Sequence, residues 1–283
     1  MATVAQKRAP SLFVSHGGGP FAALEFDHHK GMVELCKNSR SVFDGVKGII
    51  VFTAHWETDT PRISHGPNPG VWYDYINDPF AKQLPEDAWN IPYPAKGDVQ
   101  LAEAVRAKFE EHGLNPVLDD ERGWDHGVWV PLKLLRPEAD LPIVQVSIPN
   151  TRDEGTEAAF KWGAALESLR DQGYMIMGSG SSYHNFGAVI KGVIGVEAAP
   201  EIPSNRPFEN AMKEAATTAD PAGKWAKVAN WRRDFPGNEA VQPVGKSEHF
   251  LPFLICLGAG GGDVGPLVGE WTLFSTIMSF WRW

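Results

Sequence analysis

A chain of 283 residues, 43% hydrophobic and 22% charged, has the composition of a folded globular protein and excludes a disordered or fibrous one. Its net charge of −9, without a long basic run, argues against nucleic acid as a partner, and no stretch approaches the roughly 18–20 apolar residues of a membrane span. Cys36 and Cys256 stand alone, without disulfide-framework or metal spacing, which fits a reducing, cytoplasmic setting.

Residues 1–10 carry basic side chains but no apolar segment and read as a tail rather than a leader. The apolar run Ser11–Ser15 reads as a strand ending in Ser15-His16-Gly17-Gly18-Gly19-Pro20. A histidine followed by three glycines continues neither strand nor helix, so the backbone turns tightly there and leaves the imidazole at the sheet's edge. Residues 21–38 read as helical; His28 and His29, adjacent and therefore about 100° apart, read as solvated helix residues. Residues 48–53 are continuously apolar and β-branched, the pattern of a strand buried on both faces, and deliver Ala54-His55-Trp56-Glu57 to its carboxyl end.

Residues 61–94 are rich in Pro, Gly, Asn and Asp, and hold Trp72, Tyr73, Tyr75, Phe80, Trp89 and Tyr93 without periodicity. So long a loop, this aromatic, reads as an ordered pocket wall. Asp98 caps a helix over 99–112 that Gly113 ends. Arg122-Gly123-Trp124-Asp125-His126-Gly127 then leads into a helix over 128–135, with Pro131 in its first turn. Residues 141–148 read as a buried strand, 154–172 as a helix, and 174–178 as a strand opening into Gly178-Ser179-Gly180-Ser181-Ser182. Residues 200–220 and 221–234 look helical, 248–258 form a strongly apolar helix, and 271–283 a closing strand. This unbroken alternation predicts a single α/β domain over 11–283, a three-layer α/β/α architecture with a mostly parallel, mixed central sheet.

In open α/β sheets ligands bind beyond the carboxyl ends of the strands, and His16, His55 and His184 all fall just past expected strand ends, while His249 precedes an apolar helix. One histidine in such a place is more often a hydrogen-bonded structural residue. Four in comparable settings point to one metal site, since imidazole suits divalent iron and zinc and a partly open donor set marks a catalytic centre. Glu57 and Glu248, each near a candidate ligand, could join or orient the set. His126 reads equally as a helix-start residue donating to a carbonyl, and His65 and His112 as solvated. Gly17–Gly19 lacks the Lys-Ser or Lys-Thr pair of a phosphate cradle and completes no dinucleotide fingerprint.

Six motifs occur in the order seen in a known family: Ser15-His16-Gly17; Thr53-Ala54-His55-Trp56-Glu57; Tyr93-Pro94-Ala95 with Gly97-Asp98; Arg122-Gly123 with Asp125-His126-Gly127 and Trp129-Val130-Pro131-Leu132; Gly178-Ser179-Gly180 with His184-Asn185; and Glu248-His249-Phe250-Leu251-Pro252. Over residues 11–258 the chain resembles the DODA-type extradiol ring-opening dioxygenases, the 4,5-DOPA dioxygenase-like members of class III, and more distantly the catalytic subunit of protocatechuate 4,5-dioxygenase. The resemblance implies that His16, His55 and His249 hold a non-haem divalent metal, Fe(II) for catalysis, with Zn(II) possible in the same site. It implies that His184 is the acid/base histidine or a further ligand, and that His126 contacts substrate or oxygen. The implied reaction opens a catechol beside its two hydroxyls and adds both atoms of O2. The glycine run after His16 is longer than is common in the family, and Trp124 stands where a smaller apolar residue is usual; both are expected to reshape the pocket mouth. Two other readings of the histidines remain at this point, a zinc hydrolase using a metal-bound water of pKa near about 7 and a non-enzymatic scaffold on the same fold.

Overall fold

The segments that are apolar without interruption occupy the middle of the sheet. The computed structural model describes residues 7–78, 80–151, 154–193 and 202–283. Its strands are β1 (Ser11–Ser15), β2 (Gly48–Thr58), β3 (Arg62–Ser64), β4 (Val117–Asp119), β5 (Ile143–Pro149), β6 (Tyr174–Gly180), β7 (Leu267–Leu273) and β8 (Thr276–Arg282). They form one mixed sheet in the order β4-β3-β5-β2-β6-β1-β8-β7. The central block β5-β2-β6-β1 is parallel, and β1 and β5 are buried along their whole length. The edges are antiparallel additions: β8 runs against β1, and β3 against β5.

The helices are α1 (Lys30–Asn38), α2 (Val99–Glu111), α3 (His126–Leu135), α4 (Thr156–Ala165), α5 (Phe186–Val193), α6 (Arg206–Ala216), α7 (Pro221–Val228), the single turns α8 (Trp231–Asp234) and α9 (Asn238–Val241), and α10 (Leu251–Ala259). Helix α10 packs on β1, β2 and β6 and against α4, while α3 packs on β2 and β6 and against α1, which gives the expected three layers. Helices α4 and α10 touch backbone to backbone. A Cβ on Gly163 would lie 1.9 Å from the Ile255 carbonyl oxygen, and one on Gly258 2.1 Å from that of Phe160, so only glycine permits this crossing. No helix among the described residues is long and apolar enough to cross a membrane.

Several elements differ from the sequence expectation. Strands β3 and β4 hold three residues each, too few to show a period. The closing strand is a hairpin, β7–β8, that turns at Phe274-Ser275 with Phe274 in the left-handed region (φ 54°), a turn no glycine or asparagine announces. Only the second half of 21–38 is α-helical, and 154–172 ends in a 3-10 segment, Glu167–Gln172. Residues 200–201 of the expected helix over 200–220 lie outside the described residues, and α6 begins at Arg206. Helix α3 starts at His126, two residues early, so Pro131 falls in its second turn. The end of the expected tail is pinned, with the Ala9 N–H donating to Arg170 O at 2.8 Å and Arg8 paired with Glu167 and Asp171.

Helix α6 buries a carboxyl. Glu209 is 2% exposed, its Oε1 lies 3.4 Å from Asn205 Nδ2, and burial, outweighing the Ser182 and Ser279 hydroxyls, pushes its pKa up to about 7. The unfolded chain releases this proton near 4.5 and the folded chain holds it to about 7, so stability falls as pH rises through that window and levels above it. Relative to Glu209→Gln, the native chain is expected to lose about 3 kcal/mol between about pH 4 and pH 8, read from urea midpoints. A difference independent of pH contradicts this.

Candidate active site

The glycine turn after β1 is built around a second histidine. Gly17 and Gly19 have φ of +75° and +39°, and Cβ atoms there would lie 2.7 Å from the His29 ring and 2.9 Å from Phe80. His29, expected as a solvated helix residue, is fully buried. It sits in a 3-10 turn before α1, and its Nε2 accepts the Gly18 N–H at 3.1 Å. Burial holds its pKa down to about 3, so the acceptor lone pair persists. His28 is half-buried, with its Nδ1 2.5 Å from His29 Nδ1. His65 pairs with Asp120, and His112 Nδ1 donates to Lys108 O on the surface, as expected of residues away from a site.

His16, His55 and His249 converge. Nε2 of His16 lies 3.1 Å from Nε2 of His55, and the His249 ring centroid lies 5.2 Å and 5.0 Å from theirs. One ring nitrogen from each lies within 4.8 Å of the others. His55 is not past the end of β2, as expected, but within it, where the pairing with β5 shifts register between Phe52 and Glu57 and the pairing with β6 stops at Thr53. A bulge of this kind re-aims a side chain. Gly180 joins the other two segments: its carbonyl accepts the His16 N–H, and a Cβ there would lie 2.2 Å from His249 O.

The tautomer of His16 follows from Pro131. A proline at that position has no N–H for the carbonyl four residues back, Gly127 O, which instead accepts the Ser179 hydroxyl. With its one hydrogen spent, Ser179 Oγ can only accept from His16 Nδ1, 2.9 Å away, leaving His16 Nε2 as a bare lone pair aimed at His55. Nδ1 of His249 lies 3.0 Å from Glu248 Oε1 and is oriented in the same way. Burial, reinforced by the neighbouring histidines, pushes all three imidazoles well below their ordinary pKa, so they are neutral donors. Three neutral imidazole nitrogens on one point fit a divalent transition metal.

His126 and His184 flank this group. Asp74 Oδ1 accepts the His126 backbone N–H at 2.9 Å, and its two oxygens lie 3.0 and 2.9 Å from His126 Nδ1. Burial opposes charge on both partners, but their contact prevails: Asp74 is held well below the usual carboxylate range and His126 above the usual imidazole value. His126 therefore binds a side-chain carboxylate, not the carbonyl of the structural reading. The ring of His184 stacks on that of His249, centroids 3.4 Å apart and planes at 15°, with Nδ1 3.3 Å from Glu248 Oε1 but without hydrogen-bond alignment. Burial, with the charge of Lys246, takes His184 down to about 4. Burial likewise lifts Glu248 to about 7.

Behind His55, buried Asp125 accepts from Thr53 Oγ1, Arg122 and Gln145 at 2.6–2.8 Å, and Arg122 lies between the rings of Trp56 and Trp72. Glu57 is exposed and accepts from Thr151, so of the two carboxylates only Glu248 orients a site histidine. A cavity of about 220 Å³ opens over the histidines, lined by His55, His126, His184 and His249 together with Phe80, Phe186, Asp74 and Asp78. Trp124 does not reach its mouth, being fully buried in the core. Of the loop's described aromatic residues only Phe80 lines the cavity; Tyr73, Tyr75 and Trp89 pack on one another behind it, with Tyr75 6.0 Å from the His126 ring. Asp74 and Ser179 were not singled out in the sequence. The one available signal for Asp74 is an acid set among aromatics in a loop otherwise without pattern.

Residues 9–279 match the family described as the catalytic LigB subunit of aromatic ring-opening dioxygenase. The chain is 35% identical over 263 residues to the dioxygenase tasH of Hapsidospora irregularis, covering 89% of this chain and 78% of that one. It is 34% identical over 256 residues to the 4,5-DOPA dioxygenase extradiol of Portulaca grandiflora, covering 89% and 86%. The crystal structure of an uncharacterized protein of Escherichia coli K12 superposes with a TM-score of 0.70 at 26% identity, over 97% of this chain and 99% of that one. Fold, histidine cluster and relatives define an enzyme, an extradiol ring-opening dioxygenase, and the hydrolase and scaffold readings give way to it. The chain belongs to the LigB family and, within it, is of the DODA type.

Proposed function

We propose that the chain opens a catechol at a bond beside the diol with O2, at a non-haem Fe(II) held by His16, His55 and His249, donors that zinc could also take. The observation that carries this is the convergence of those three rings, with His16 locked as an Nε2 donor by Ser179. Bound there, the metal supplies a Lewis-acidic centre for the diol oxygens and for activation of O2. His184, neutral at physiological pH, takes the second hydroxyl proton and returns it to the oxygen that leaves. His126, whose pKa Asp74 raises above the ordinary imidazole value against the effect of burial, offers Nε2–H in its protonated form to negative charge building on oxygen, a contact worth on the order of 3 kcal/mol. Phe80 and Phe186 exclude water from the cavity. The catalytic unit is read as residues 11–283, and the buried, unpaired thiols of Cys36 and Cys256 support a cytoplasmic setting.

The test is anaerobic reconstitution with Fe(II), followed by oxygen-electrode assays over a catechol panel. One O2 consumed per catechol, with a new yellow absorbance, is the expected result. Absence of oxygen uptake with every catechol overturns the reading.

A further inference from the structure

We propose that Asp78 makes this cavity selective for catechols whose ring substituent is cationic, an amine, over those carrying a carboxylate. The inference rests on the proposed ring opening and names its substrate class. Two carboxylates line the cavity, and they differ in what they already hold. Asp74 is spent on His126, which takes both of its oxygens. Asp78 is half-buried, and its side chain makes no hydrogen bond or ion pair among the described residues. Burial lifts its carboxyl above the ordinary value, a penalty that a cation arriving in the cavity would offset.

Among the described lining residues His126 is the one imidazole whose pKa is raised, and Asp74, 2.9 Å from its Nδ1, is already its counter-ion. No lysine or arginine is among its described lining residues. Lys246, whose charge acts on His184 and Glu248, is itself exposed and does not line the cavity. A carboxylated substituent entering here would meet Asp78 with no lysine or arginine among the described lining residues to pair with and with His126 already engaged by Asp74, so its desolvation would go uncompensated. An ammonium would gain a charge-assisted hydrogen bond in a partly water-excluded wall. The neighbouring Phe80 and Phe186 supply apolar surface for the linker between ring and amine.

The experiment compares kcat/KM of the Fe(II) enzyme for three probes of similar size: dopamine (cationic), 4-propylcatechol (neutral) and 3,4-dihydroxyphenylacetate (anionic). Dopamine is expected to exceed the neutral probe by about tenfold and the anionic probe to fall below it by a similar factor. In Asp78→Asn both ratios to the neutral probe should collapse toward one, while Asp78→Glu keeps the order. Anaerobic calorimetry with the same probes reads the order without turnover. If no probe is opened but the amine still binds best, the ring-opening reading falls and the charge assignment stands. Equal kcat/KM for amine and acid, equal binding, or ratios unmoved by Asp78→Asn overturn the proposal.

Discussion

His184→Ala should retain its divalent metal and lose ring opening by about 10²–10⁴-fold in kcat, the range of a positioned acid/base group. The separation of the two readouts follows from how the ring lies. A ligand points a nitrogen at the ion, whereas His184 lies nearly parallel to His249 at 3.4 Å, which sets it alongside a ligand candidate. Its nitrogens group with Glu248 and His249, not with the His16–His55 pair. It reaches the cavity and is neutral at physiological pH, held down by burial and by Lys246, and so is able to accept a proton. Removing it leaves the three donors and their hydrogen bonds to Ser179 and Glu248 intact. Metal per chain is measured after dialysis, and kcat under saturating Fe(II). If metal and activity vanish together, His184 is a ligand and the acid/base assignment fails.

The four central strands were legible because a parallel strand covered on both faces must be apolar at every position, and few other environments demand that of Ile49, Ile50, Val51 and Phe52 in succession. His16 and His184 could be picked out for a related reason, since they follow the ends of β1 and β6 at one edge of the sheet, whereas His55 reaches the same edge from a bulge inside β2 and His249 from the turn before α10. What stayed hidden depended on partners distant in the chain. The link that fixes His16 runs through Ser179, Gly127 and Pro131, and none of the three shows its part until the fold aligns them. His29 was misplaced because helical spacing was assumed where a 3-10 turn stands, which rotates the ring under the Gly17–Gly19 loop. Trp124, in sequence beside Asp125 and His126, is turned into the core by its backbone pairing with Val71 and Gly70.

His16→Ala is expected to abolish metal retention and with it ring opening, by at least about 10³-fold, even at Fe(II) concentrations that saturate the native chain. The effect exceeds that of losing one donor among three, because His16 is the ring whose lone pair is most fully predetermined. Pro131 frees Gly127 O, Gly127 O takes the Ser179 hydrogen, and Ser179 takes Nδ1–H. Ser179→Ala separates donation from orientation: it keeps the imidazole but releases its tautomer, and should weaken metal affinity by about 10–100-fold. Thermal melts of both metal-free variants check that the fold persists, since His16 is 1% exposed and its loss opens a cavity. Competition with a metal chelator reads the affinities directly. A folded His16→Ala chain that binds Fe(II) as tightly as the native one would place the ion elsewhere, in the group formed by His55, Asp74 and His126 or in that of His184, Glu248 and His249.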